Sequence, residues 1–182
     1  MNASIMRMAF VASALLALPL VADAKLSSSG GSSVQFTAAG PAGMSIVGKT
    51  SELSVADDGQ SVTVKVPLAT LNSGIALRDK HMKEKYLQVG SYPDAELSVA
   101  RSALKFPSGT PTSGSAQGTM KLHGKTKSVT FNYTAAPAGA KIQVNGSVHL
   151  DVRDYAIEIP NYMGVTVKPD VDVTVQFTAT EG

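Results

Sequence analysis

The sequence contains no cysteine, which removes a disulfide framework, a thiolate nucleophile, a Cys-ligated zinc site and a lipid-modified Cys from consideration. Tryptophan is also absent and phenylalanine is scarce, so few large rings are available to fill an interior. Charge of either sign is sparse. The formal net charge of +2 is too weak a bias to argue for a nucleic-acid partner. No stretch reaches the roughly 20 apolar residues that a transmembrane helix needs. The apolar run from Met8 to Val21 is too short to span comfortably, follows Arg7, and ends at Ala22-Asp23-Ala24. That is the layout of a secretory leader, with cleavage expected after Ala24. Loss of residues 1–24 removes one Arg and one Asp and leaves the net charge unchanged. Exported, free of cysteine and without an anchor, the mature chain is expected in a bacterial periplasm.

Residues 25–33 are rich in Ser and Gly and read as a flexible tether with nothing to bury. One domain is expected over 34–182, long enough to bury a large share of its apolar surface without staples. Its dominant pattern is alternation. Val34, Phe36 and Ala38, then Val62, Val64 and Val66, and finally Val171, Val173, Val175 and Phe177 place apolar residues at every second position. Such spacing gives a strand one wet and one dry face. About eight such strands can be counted, joined by short Gly-, Pro-, Ser- and Thr-rich links that favour antiparallel neighbours. Asp57-Asp58-Gly59-Gln60 reads as the turn of a hairpin. The pattern fits an up-and-down barrel and a sandwich equally well.

One segment breaks the alternation. Between Gly74 and Pro93, Arg78, Lys80, His81, Lys83 and Lys85 gather, while Met82, Tyr86 and Val89 recur at helical spacing. A short amphipathic helix near residues 78–88 is expected, as a solvated surface element or as a basic cap over the opening of a closed sheet. Tyr86 and Tyr92, with Tyr155 and Tyr162 in the stretch from Arg153 to Asp170, would then form a rim; otherwise these are half-buried anchors.

Catalytic signals are weak. Gly43 to Thr50 fits the phosphate-loop expression G-x-x-x-x-G-K-T, but that loop requires a following helix, and SELSV reads as a strand. His81, His123 and His149 lie on separate elements without metal-ligand spacing, so no metal or cofactor is expected.

The strings GIALRDKHM (74–82), YPDAEL (92–97), GTMKLHGKTKSVTF (118–131) and VRDYAI (152–157), in this order, resemble the YceI family of exported lipid-binding proteins. The resemblance spans 34–179. It implies an all-β fold, an eight-stranded antiparallel lipocalin-like barrel, holding a polyisoprenoid or related amphiphile in an apolar channel. Arg78, Asp79 and His81 match the family's Arg-Asp-x-His element, and Leu122, Gly124, Thr126 and Lys127 its second element. The family's aromatic pair after Arg-Asp-x-His is replaced by Lys83-Glu84-Lys85-Tyr86, and its N-terminal Asp and His-Ser start is absent. A more basic helix would suit an anionic or strongly polar headgroup.

The expected function is therefore a periplasmic binding or carrier protein for isoprenoid-type lipids, without enzymatic activity and with at most transient membrane contact. Its expected ligand-binding residues are Arg78, His81, Met82, Tyr86, Phe131, Val148, Tyr155, Tyr162 and Val173. Arg78, Lys80, His81 and Lys83 would select the headgroup through charge-assisted hydrogen bonds. Two other readings compete: a solid β-domain acting through protein contacts in envelope stress, and a lipid-modifying enzyme using His81 with Asp79 nearby. The first requires an interior that fills itself, as in many small barrels, whereas the Val-, Ala- and Gly-rich dry faces favour space.

Overall fold

The computed structural model describes residues 25–162 and 165–182. The leader assigned to residues 1–24 lies outside the described residues. Ten strands form one antiparallel sheet: β1 (Leu26–Ser28), β2 (Ser33–Ala39), β3 (Ser45–Thr50), β4 (Ser54–Asp57), β5 (Ser61–Pro67), β6 (Asp94–Ala100), β7 (Thr112–Leu122), β8 (Lys125–Ala138), β9 (Lys141–Asp151) and β12 (Asp170–Glu181). A small separate ribbon pairs β10 (Asn161–Tyr162) with β11 (Val165–Thr166). β1 and β2 lie end to end along β12, and β4 and β3 lie end to end beside them. Each of these pairs acts as one interrupted strand, so the sheet is an eight-stranded barrel in which each strand pairs with the next and the last closes on the first. Alternation alone had left barrel and sandwich tied. Closure decides it.

The tether expected over residues 25–33 is partly strand. Leu26, Ser27 and Ser28 pair with Glu181, Thr180 and Ala179, and the Leu26 side chain is buried in the core. A backbone ladder does not depend on side-chain alternation, so LSS joins the sheet despite its polar composition.

The hairpin at Asp57 forms as expected. Asp58 Oδ1 accepts from the Gln60 and Ser61 N–H groups at 2.8 and 2.7 Å, and Gly59 takes φ +88°. Those hydrogen bonds hold the Asp58 carboxyl below its usual pKa. At the β7–β8 hairpin, His123 and Gly124 both have positive φ, as a two-residue type I′ turn requires. A Cβ on Gly124 would lie 2.7 Å from the Tyr92 ring, which in turn stands edge-on to His123 at 4.6 Å. The glycine of the family's second element thus has a packing reason.

Inside the barrel, small residues face large ones. Gly48 lies opposite Phe36, and a Cβ there would come within 2.1 Å of the ring. The same end of the barrel carries the helical insertion, α1 (Ala76–His81), which continues into a single π-helical turn at Met82–Tyr86, where the Leu87 N–H donates to the Met82 carbonyl. Met82 and Tyr86 pack towards Leu68, Leu71 and Leu122, as the helical spacing requires, while Val89, expected on the same helical face, joins them from beyond the helix end, as does Leu87. The turns at Pro41–Gly43 and Val152–Tyr155 lie at this helix end too. At the opposite end, residues after Arg101 form a strap that brings Leu104 and Phe106 onto the core.

Candidate functional site

The strands' dry faces meet around a hollow. A cavity of about 730 Å³ runs inside the barrel from the helical insertion to the strap. That volume lies within the usual range for small-molecule sites, about 300–1,000 Å³. Burial records the same fact residue by residue. Val64, Leu97, Val144, Val148, Val173 and Val175 all line the cavity, and each is only half-buried. A packed core of this composition would bury them fully. The interior does not fill itself.

The two ends differ. Phe131, Tyr133 and Phe177 are buried near the strap, where Phe106 packs against them and the Tyr133 hydroxyl accepts from the Lys105 N–H at 2.6 Å. This end is an aromatic floor. At the helix end Met44, Ile75 and Leu77 border the cavity yet are 52%, 53% and 58% exposed. This end is the mouth. Arg78, His81 and Lys168 also reach the lining there, and no carboxylate lines the cavity among the described residues.

Of the sequence-predicted ligand residues, Arg78, His81, Met82, Tyr86, Phe131, Val148 and Val173 line this one cavity. Tyr155 does not. It is 1% exposed and sits where β8 and β9 part: their pairing ends at Phe131 and Val148, and the Val152–Tyr155 turn packs against β8 beyond that point. Its hydroxyl has no hydrogen-bond partner among the described residues, and burial, with the Asp154 charge adding to it, pushes its pKa up to about 12. The expected rim tyrosine is a plug in the barrel wall. The backbone of Tyr162 pairs with Val165, and its side chain lies outside the described residues.

Arg78 and Asp79 have local work. Arg78 donates through Nε to Ser73 Oγ at 2.7 Å and through Nη2 to the Ser73 carbonyl at 2.5 Å, while Asp79 Oδ1 accepts from the Ser73 hydroxyl and, at 2.8 Å, from its N–H. Burial pushes the Asp79 carboxyl up, but the Ser73 hydrogen bonds, with Lys83 and Arg78 nearby, outweigh it and leave its pKa lowered. The Arg-Asp pair ties α1 to the chain entering it. Of the four basic residues expected to meet a headgroup, Arg78 and His81 reach the cavity lining and Lys80 and Lys83 do not.

Sequence reasoning missed Met44, Ile75, Leu77 and Lys168 at the mouth, and Leu104 and Phe106 at the floor. Ile75 and Leu77 carried a signal, being apolar immediately before a basic helix and off its Met82–Tyr86 face. Lys168 carried none; its N–H donates to the Ala39 carbonyl at 2.7 Å, a contact that alternation does not encode.

On the outer wall, His149 Nδ1 lies 2.8 Å from Asp172 and Nε2 lies 3.4 Å from Asp170. The Asp172 hydrogen bond raises the His149 pKa above 6.5 and, with Asp170 adding to it, outweighs the opposing desolvation. A raised folded-state value means that the stabilisation is complete below the ordinary histidine pKa and is lost as pH rises through the folded one. All three groups are exposed, so the effect on stability is small. An NMR titration should place the His149 midpoint above 6.5, and Asp172→Asn should lower it.

The YceI-like domain profile matches residues 27–179, nearly the whole described barrel. The chain belongs to the YceI-like family. Solved structures give the same architecture. A polyisoprenoid-binding domain from Saccharophagus degradans implicated in plant cell wall breakdown is similar at TM-score 0.75 and 16% identity, over 87% of this chain and 99% of that one. BcnA of Burkholderia cenocepacia is similar at TM-score 0.66 and 18% identity, over 82% of this chain and 96% of that one. A YceI protein of Campylobacter jejuni is similar at TM-score 0.56 and 16% identity, over 75% and 85%. No curated protein matches this chain. At these identities the structures speak for the fold, and the family fold with its hollow interior supports a lipid-binding role for this YceI-like barrel.

Proposed function

We propose that this protein is exported to the periplasm and there binds or carries an isoprenoid-type amphiphile, such as a polyprenyl or quinone-like compound, without reacting with it. The observation that carries this reading is the apolar cavity of about 730 Å³, floored at one end and open beneath a helical cap at the other. Each CH₂ moved from water into such a channel gains ~0.8 kcal/mol, so a few isoprene units outweigh the cost of ordering a flexible tail. The tail supplies affinity, and the headgroup stays at the mouth beside His81, Arg78 and Lys168.

An enzymatic reading finds little support. Asp79, the carboxylate nearest His81 in sequence, is held by Ser73 and does not line the cavity, so an acid and base pair at the ligand is missing from the described lining. Organic extraction of protein purified from the periplasmic fraction, followed by mass spectrometry, should release a prenyl-type lipid in near-stoichiometric amount. Intact mass of the same sample should begin at Lys25. Protein free of extractable lipid would return the solid-domain reading to first place.

A further inference from the structure

We infer that the mouth of the barrel is a docking surface for an anionic bilayer, so that ligand passes between membrane and cavity without crossing water. This rests on the lipid-binding reading and names the partner from which the cavity is filled. Among the described residues the exposed large apolar side chains are Met44, Ile75 and Leu77, and all three border the same cavity. They come from separate segments, Met44 following the Pro41–Gly43 turn and Ile75 and Leu77 at the start of α1. Large apolar side chains exposed together around one opening mark an interaction site. Because the same three side chains line the cavity, burying their tips in acyl chains would join the channel to the hydrocarbon.

The charges around the rim select the partner. Lys80 and Lys83 on the insertion and Lys168 on the other side of the mouth form no ion pair among the described residues. Asp79 is already held by Ser73, and the Glu158 carboxylate lies 3.8 Å from Lys85. Glu84 is the insertion's exposed carboxylate and is outnumbered there by Lys80 and Lys83, and an apolar tip flanked by a net excess of lysines is the pattern by which surfaces settle at the interface of membranes with negative headgroups. A second copy placed mouth to mouth would instead set lysines against lysines.

Vesicle co-sedimentation of the mature protein tests this, comparing phosphatidylcholine alone with phosphatidylcholine mixed with phosphatidylglycerol. The mixed vesicles should retain the protein, and Lys80→Glu with Lys83→Glu should weaken retention by at least about tenfold, since each basic residue near such a surface contributes roughly one kcal-scale step. Ile75→Ser with Leu77→Ser should weaken it comparably, and added salt should weaken it further. Neither lysine lines the cavity, so delipidated lysine variant offered a prenyl lipid from detergent should bind it as the wild type does; this separates loss of docking from loss of ligand binding. Met44→Ser serves where the paired serine variant lacks the wild-type β-spectrum. Wild type left in the supernatant with mixed vesicles overturns the proposal, as does retention insensitive to both sets of changes. A dimer in sedimentation velocity that dissociates on the serine substitutions also overturns it. Vesicle binding that follows the pattern in a protein with no extractable lipid would uphold the docking surface and defeat the ligand reading alone.

Discussion

Asp57→Ala should be the most destabilising single substitution outside the cavity, lowering stability by about 3–5 kcal/mol, a loss typical of breaking a buried ion pair. The Asp57 side chain is 0% exposed and Arg101, whose Nη1 donates to Asp57 Oδ2, is 15% exposed. The same carboxylate accepts from the Leu26 N–H at 3.0 Å and the Gly59 N–H at 2.8 Å. One group thereby joins β1, the β4–β5 turn and the strap at the floor of the cavity, where Arg101 also lies 4.6 Å from the Phe106 ring. Alanine removes the acceptor of both N–H groups and the countercharge of the guanidinium together. For a chain of this size that corresponds to a fall in melting temperature of roughly 6–20 °C. Asp57→Asn should fall between wild type and alanine, because its Oδ1 still accepts while the charge is gone. Combining Asp57→Asn with Arg101→Met should recover part of the loss, since removing both charges is far less costly than stranding one. Thermal denaturation of the four proteins checks the ordering. A melting temperature for Asp57→Ala within about 2 °C of wild type, under one kcal-scale step for this size, would show that the pair is solvent-screened in solution.

This pair also marks where sequence reasoning stopped. Asp57 was legible as a turn residue and Arg101 as a charge after β6, but nothing in either neighbourhood says that residues 44 positions apart in sequence share a hydrogen bond. Period-2 patterning encodes faces, and the inward faces of β2, β5 and β12 emerged correctly because burying or wetting a face is a local choice. Backbone-driven events left no such trace. β1 joins the sheet through Leu26–Ser28 although its side chains look like a linker, and the β8–β9 ladder stops at Phe131 and Val148, so that Tyr155, expected at a rim, plugs the wall instead. The family's Arg-Asp element was found from motif, yet Ser73, which occupies it, lies before the motif and has no pattern of its own. Whether the barrel is hollow was equally undecided by alternation, because the same valines pack a core or line a channel according to barrel diameter. Composition leaned towards space, and the half-buried state of Val148 and Val173 now makes that leaning testable.

At least one of Val148→Phe and Val173→Phe should leave the lipid-free melting temperature nearly unchanged while sharply reducing co-purified lipid. The two valines are cross-strand partners, with Val148 also opposite Phe131 and Val173 opposite Phe36, and both line the cavity. In a close-packed core each substitution would overpack, costing about 1–3 kcal/mol with neighbours forced from their rotamers. In a cavity of about 730 Å³ the added ring has somewhere to go, so the apoprotein need not rearrange. The ligand does not share that freedom. A ring on the channel wall displaces the chain atoms that lay there, and excluding even two methylenes costs ~1.6 kcal/mol, more than tenfold in affinity. The decisive comparison is therefore between two readouts on one sample, differential scanning calorimetry of delipidated protein and mass spectrometry of its organic extract before delipidation. Stability held while lipid falls identifies a ligand channel. Stability lost in both variants, with no extractable lipid in the wild type, identifies a core that closes on itself in solution, and the carrier reading would then give way to a solid β-domain working through its outer surface.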